Sequence, residues 1–394
     1  MDRPWSEYMN DDSKRQVHGA EGRTTSLPSI YVNRTLYKEP DYGLLPYYEE
    51  SKIEGFHRTL PEYGETPLIS VPELAEELQV GHVFVKDESS RFGLPAFKIL
   101  GASWAIYRAV CEEVGQEPDV SLHQLGQLAQ KREIGLVTCS DGNWGRSVAR
   151  MGKHLGIPAL VFVPQNIDKA TQDKVAGEGA EVRVVEGSYD DSIAAARKEA
   201  NETGALLVMD TSWPGYEQIP AWVQAGYSTM LREVDRQVKD ACGLPVTTAI
   251  VAVGVGSWAQ SVVRHFEAKG GDTRTKVITV EPQAAPSLYE SLQNDKITPV
   301  VTGDTIMCGM CCGTVSSIAW PLLQKCVHAS VVVSELEAHK SVQHLGSHGV
   351  NAGPCGAATL AAARKAKGAL IKPDPNGVLV LFSTEGRRDY VVPT

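Results

Sequence analysis

The chain has 394 residues, 42% of them hydrophobic, with 38 basic against 48 acidic side chains and a formal net charge of −10. That is enough apolar material for roughly two or three domain-sized units, and the acidic balance, without a long basic run, argues against nucleic-acid binding. No apolar run approaches the roughly 20 residues that span a bilayer, and Met1-Asp2-Arg3-Pro4-Trp5-Ser6-Glu7 opens no apolar leader, so a soluble, cytoplasmic protein without a membrane partner is expected.

Residues 1–30 are polar and aperiodic, and a flexible arm is expected there. From Thr66 onward, β-rich apolar runs alternate with amphipathic helical ones, which predicts parallel sheet covered by helices. Strands are expected at 82–86, 135–139, 159–163, 181–185, 206–209, 248–253, 276–280, 329–333 and 378–382, and helices at 99–114, 145–155, 170–178, 190–202, 216–239, 258–269, 335–346 and 356–367. About nine strands are many for one layer, so the fold class is α/β with two open, mostly parallel domains. The smaller, 91–205, is inserted into a larger one formed by 31–90 and 206–394, and the cleft between them is the natural ligand site.

Four stretches carry chemistry. Lys98 sits in the apolar run Phe92-Gly93-Leu94-Pro95-Ala96-Phe97-Lys98-Ile99-Leu100, where desolvation disfavours the ammonium form and suits an amine that forms a Schiff base. Ser140-Asp141-Gly142-Asn143-Trp144-Gly145 follows an apolar strand and opens a helix; Asp141 is there either a helix cap or a functional carboxylate. Gly254-Val255-Gly256-Ser257 joins strand to helix, a geometry that offers backbone N–H groups and a helix dipole to a phosphate. The same turn fits a loose dinucleotide pattern, with Glu281 as a possible ribose acceptor. Ser383-Thr384 ends the last strand, and a hydroxyl there suits a neutral pyridine nitrogen.

Two further turns open helices, Asp210-Thr211-Ser212-Trp213-Pro214-Gly215-Tyr216 and Val350-Asn351-Ala352-Gly353-Pro354-Cys355-Gly356. The eight cysteines are too sparse for a disulfide framework, and Cys308, Cys311 and Cys312 lack the second pair a zinc site needs, so no metal is expected.

Together with Val85-Lys86-Asp87-Glu88-Ser89-Ser90-Arg91, Glu281-Pro282, Thr305-Ile306-Met307 and Ser383-Thr384-Glu385-Gly386, these segments resemble the pyridoxal-phosphate enzymes of fold type II, the tryptophan synthase β-subunit fold. Within that fold the chain is most similar to the diaminopropionate ammonia-lyase group, over about residues 58–390. The resemblance implies that Lys98 carries pyridoxal 5'-phosphate as a Schiff base, flanked by Phe97, with Asn143 on the pyridine 3-hydroxyl. It places Gly254, Val255, Gly256 and Ser257 on the phosphate, Gly353 beside the cofactor, and Ser383 or Thr384 at the ring nitrogen. Asp141 and Asp210 match acidic positions on the substrate side.

The implied reaction is elimination from a small amino acid with a leaving group on Cβ, 2,3-diaminopropionate giving pyruvate and ammonia, and a homodimer is implied as well. Lys98 and Asp141 would be bases on opposite faces, and Asp210 would bind the second amine. The chain departs from the group's pattern at Trp144, where a histidine is common, at Thr314-Val315-Ser316-Ser317 in place of a Glu-Pro pair, and at Gly353-Pro354-Cys355-Gly356, which lacks a glutamate. That last turn resembles serine and threonine dehydratases, so a dehydratase or a β-replacement enzyme is the alternative. Outside the fold type, the alternative is a nicotinamide-dinucleotide oxidoreductase using the Gly254 turn.

Overall fold

In the computed structural model, residues 29–34, 36, 50–140, 142–165, 167–187, 189–269 and 275–394 are described; residues 1–28 of the expected arm, and Asp141, lie outside them. In chain order the strands are β1 (Ile30–Val32), β2 (Leu68–Ser70), β3 (Val80–Asp87), β4 (Leu136–Cys139), β5 (Ala159–Pro164), β6 (Glu181–Val185), β7 (Leu206–Leu207), β8 (Thr248–Ala252), β9 (Lys276–Pro282), β10 (Ala329–Val333) and β11 (Asp374–Ser383). They build a seven-stranded sheet in the order β1-β10-β9-β8-β11-β3-β2 and a four-stranded sheet in the order β6-β5-β4-β7.

Neighbours in the small sheet run parallel, as do β10, β9, β8, β11 and β3 in the large one, while β1 and β2 close its edges antiparallel. A continuous apolar run at the centre of a parallel sheet is buried on both faces. Val378, Leu379, Val380, Leu381 and Phe382 of β11 are accordingly all buried. Over that strand lies the helix Pro354–Ala366, whose buried Ala357, Ala358, Ala361 and Ala362 allow close approach.

One long helix was expected at 216–239, but the chain forms two, Gln218–Gly226 and Ser228–Cys242. The reason is contact. A Cβ on Gly226 would come within 2.4 Å of Leu100 O, and one on Gly101 within 2.7 Å of the Tyr227 ring. The helix Ile99–Val114 therefore packs backbone to backbone on the first of the two, and Tyr227 N–H closes a short turn onto Gln224 O at the join. No helix among the described residues is long and apolar enough to cross a membrane.

Strand order reverses around β4 and around β8 and β11, and the turns that follow these strands lie at their carboxyl ends. That is where open α/β sheets bind ligands.

Candidate active site

Lys98 is set by constraints on the residues that lead into it. First, Arg91 N–H and Leu94 N–H bond each other's carbonyls at 2.8 and 2.9 Å around Phe92 and Gly93, both with positive φ. Next, the chain lies against the segment leaving β11: Phe97 N–H donates to Thr384 O, and Gly386 N–H to Pro95 O. The Phe97 ring packs on Tyr227 and Trp258, with centroids 4.8 and 5.2 Å away. Lys98 then emerges as the first residue before a helix, with Nζ donating to Asp210 Oδ2 at 2.8 Å. The lysine side chain keeps 21% exposure, whereas the Asp210 side chain keeps 6%.

Asp210 and Asn143 reach the cleft from the small sheet. Ser140, just past β4, accepts from Gly142 N–H and Gly145 N–H at 2.9 and 2.7 Å and so caps the helix Asn143–Leu155. Asn143 Nδ2 donates to Glu385 Oε2 at 3.2 Å, which leaves its second N–H and its carbonyl for a ligand. Trp144 turns the other way. Its indole N–H donates to Thr138 Oγ1 and Val208 O inside the small domain's core, and the ring is buried, so the departure from histidine at this position is a packing change.

The large sheet supplies the rest. Gly256 has φ +98°, and a Cβ on Gly254 would stand 3.0 Å from Gly309 O. The turn is thus held against its surroundings and delivers Ser257 as the first residue of the helix Ser257–Ala268. Amide groups in a first helical turn lack intrahelical acceptors and suit an anion. Ser257 Oγ donates to Asp210 O at 2.5 Å and joins this turn to the acidic one.

At the end of β11, Ser383 and Thr384 are both buried. They differ in one respect: Ser383 Oγ has no hydrogen-bond partner among the described residues. A buried hydroxyl left without a partner costs about 1–3 kcal/mol, and this one is open to a bound group. Gly353 packs on the segment that follows, its N–H on Glu385 O and its Cα so close that a Cβ would meet Gly386 O at 2.4 Å.

An amine on a rigid loop, a glycine turn opening a helix and a buried hydroxyl without a partner are the parts that a phosphorylated ring cofactor calls for. The sequence profile of the family described as pyridoxal-phosphate dependent enzyme matches residues 59–384. The chain belongs to that family, and its cofactor is pyridoxal 5'-phosphate. It is 36% identical over 280 residues to the diaminopropionate ammonia-lyase of Salmonella typhimurium, covering 69% of each chain. Against the Escherichia coli enzyme of the same name it is 31% identical over 350 residues, covering 85% of this chain and 87% of that one.

Among solved structures, the Escherichia coli diaminopropionate ammonia lyase in complex with an aminoacrylate-PLP azomethine reaction intermediate superposes with a TM-score of 0.82 at 28% identity, covering 91% and 93% of the two chains. Threonine deaminase isoform 2 from Solanum lycopersicum shares the fold, with a TM-score of 0.71 at 21% identity and coverage of 92% and 95%.

Sequence reasoning missed Glu385. Its Oε2 accepts from Asn143 and its Oε1 from Cys355 N–H at 3.2 Å, so a carboxylate does reach the turn that lacks its own glutamate. The signal was present, an acid directly after the strand-end hydroxyls, but only the fold brings it to Asn143. Glu281, in turn, is a corrected expectation. Its carboxylate oxygens accept from Leu288 N–H and Tyr289 N–H at 2.7 Å each, and the side chain is fully buried. It is occupied in capping the helix Ser287–Asn294 and offers nothing to a ribose.

Proposed function

We propose that the protein catalyses the elimination of ammonia from 2,3-diaminopropionate, which with one water gives pyruvate and two ammonia. The observation that carries this reading is the 2.8 Å contact between Lys98 Nζ and Asp210 Oδ2. A nearly buried carboxylate beside the amine assigned to the cofactor supports a site for a substrate's second amine. A hydroxyl leaving group carries no charge for that carboxylate to pair, whereas an ammonium is bound well by it.

Bound pyridoxal phosphate supplies the electron sink for loss of the Cα proton. Lys98, Asn143, Gly254, Val255, Gly256, Ser257, Gly353 and Ser383 are the residues assigned to hold it, with Phe97 as the packed base beneath Lys98 and Ser383, in preference to Thr384, at the ring nitrogen. The orphaned Ser383 hydroxyl supports that choice. Once substrate has displaced it, the Lys98 amine takes the Cα proton on one face. Asp141 takes it on the other, which gives the site a base for each enantiomer. Asp210 holds the β-ammonium and so keeps the leaving nitrogen protonated and oriented. Enclosure between the two lobes, 91–205 against 31–90 with 206–394, excludes water until the leaving group has gone. A cytoplasmic homodimer completes the proposal, to be checked by light scattering.

The experiment is a pyruvate-release screen of the purified holoenzyme over D- and L-2,3-diaminopropionate, serine, threonine and O-acetylserine. Diaminopropionate is expected to exceed the others by at least about tenfold in kcat/KM, the scale of one charge-assisted hydrogen bond. Preference for threonine or serine would instead assign the dehydratase reaction.

A further inference from the structure

We propose that Ser212 and Ser316 are positioning residues that lock the Asp210 segment to the glycine turn after β8, so that the substrate's second amine is read in register with the cofactor's phosphate. The proposal rests on the role given to Asp210 above. It starts from a gap in the fold. β7 ends at Leu207, so no strand ladder extends to Asp210, and the position of its carboxylate must be fixed by other bonds.

Locally, Met209 N–H donates to Tyr216 Oη at 2.9 Å, and the further bonds come from turns beside the large sheet. Ser212 N–H donates to Ser316 Oγ at 3.2 Å, the hydroxyls of Ser212 and Ser316 share a proton at 2.7 Å, and Ser212 Oγ also lies 2.8 Å from Ser317 Oγ. Ile318 N–H donates to Ser212 Oγ at 3.1 Å. A serine hydroxyl has one donor and two acceptor sites, so Ser212 is fully used. Ser316 is fixed on its far side by its own N–H, which donates to Val255 O within the glycine turn at 2.8 Å. With the Ser257 bond to Asp210 O, the turn 255–257 therefore grips the segment 210–212 at two points.

Both hydroxyls are buried, Ser212 at 8% and Ser316 at 1% exposure, so deleting the Ser316 hydroxyl strands the Ser212 N–H away from water. The two serines contribute no charge and are not placed at the reacting atoms. Their effect must pass through Asp210 and the turn.

The test uses Ser316→Ala, Ser212→Ala and the double variant. On the holoenzyme, KM and kcat are measured for 2,3-diaminopropionate and for β-chloroalanine, which has a leaving group but no second amine. Binding of pyridoxal phosphate to the stripped proteins is followed by tryptophan fluorescence. Each single variant is expected to raise the diaminopropionate KM about fivefold or more with kcat changed less, to leave β-chloroalanine nearly untouched, and to weaken cofactor binding several-fold. The double variant is expected to be no worse than either single one, because the pair acts as a unit.

Equal losses on both substrates, additive effects, or unchanged cofactor affinity would overturn the proposal. If the wild type fails to turn over diaminopropionate, the role of Asp210 falls. The tie between turn and segment is then still decided by cofactor affinity and by the double variant.

Discussion

At the residue scale, the site depends on a few atoms whose partners are known. Asp210→Asn keeps the shape and removes the charge facing Lys98. A hydrogen bond to a charged group is worth about 1.5–3 kcal/mol, so kcat/KM for diaminopropionate should fall between about tenfold and a hundredfold. A smaller loss for β-chloroalanine in the same assay would show that the carboxylate serves the second amine.

Ser383→Ala carries a double expectation. The cofactor-free protein should melt at the same temperature or slightly higher, because a buried hydroxyl with no partner is removed. Cofactor affinity should meanwhile fall, and Thr384→Ala should do less. Spacing in the sequence could not choose between these two adjacent hydroxyls, since alternation along β11 does not say which of them lacks a partner. Nor could it place Trp144, whose indole serves Thr138 and Val208 in the core; sequence shows a residue's type but not the direction it faces.

At the element scale, the long buried strands and most helices were legible because their periodicity is strong. The helix expected at 99–114 is the observed Ile99–Val114. β1 and β2 were not legible, being three residues each at sheet edges, too short to show alternation. The break at Tyr227 was hidden too, since it comes from the closeness of Gly226 to Leu100 and not from a local breaker. Gly226→Ala puts a methyl 2.4 Å from Leu100 O and must push the helix that begins at Lys98. Overpacking of this kind costs about 1–3 kcal/mol, so Tm should fall and cofactor binding weaken together. Normal cofactor affinity in a destabilised Gly226→Ala protein would show that Lys98 is positioned independently of this contact.

At the scale of the whole molecule, the frame under the site is a buried ion network that no local pattern announces. Lys86 Nζ donates to Glu233 Oε2, Thr66 O and Gln237 Oε1, while Arg91 is paired with both Glu88 and Glu233. These residues lie up to 171 positions apart and meet only in the fold. Glu233→Ala leaves buried Lys86 without its carboxylate partner and Arg91 with Glu88 alone, and should cost about 3–5 kcal/mol, read as a loss of Tm.

Acid should destabilise the protein progressively. Burial brings the His57 imidazole down from its usual 6.5 to about 3, with Nδ1 on Thr229 Oγ1 and Nε2 on Leu100 O. Burial pushes the Glu54 carboxyl up, but hydrogen bonds from Arg232 and Arg58 outweigh it and hold that group at about 2. Each group binds fewer protons folded than unfolded, so stability is lost as pH falls, from about 6.5 toward 3 for His57 and from about 4.5 toward 2 for Glu54. A His57→Gln protein should show a flatter dependence of Tm on pH between 6.5 and 4.5, and an unchanged slope would assign the loss to other groups.

The central claim is that Lys98 anchors the cofactor at the meeting point of these elements. The most direct measurement is the absorption spectrum of the purified protein and of Lys98→Ala, each reconstituted with pyridoxal phosphate and then dialysed. The account predicts that the wild type keeps the visible band of lysine-bound cofactor and that Lys98→Ala loses both the band and pyruvate release. A Lys98→Ala protein with the same band and full turnover would contradict it.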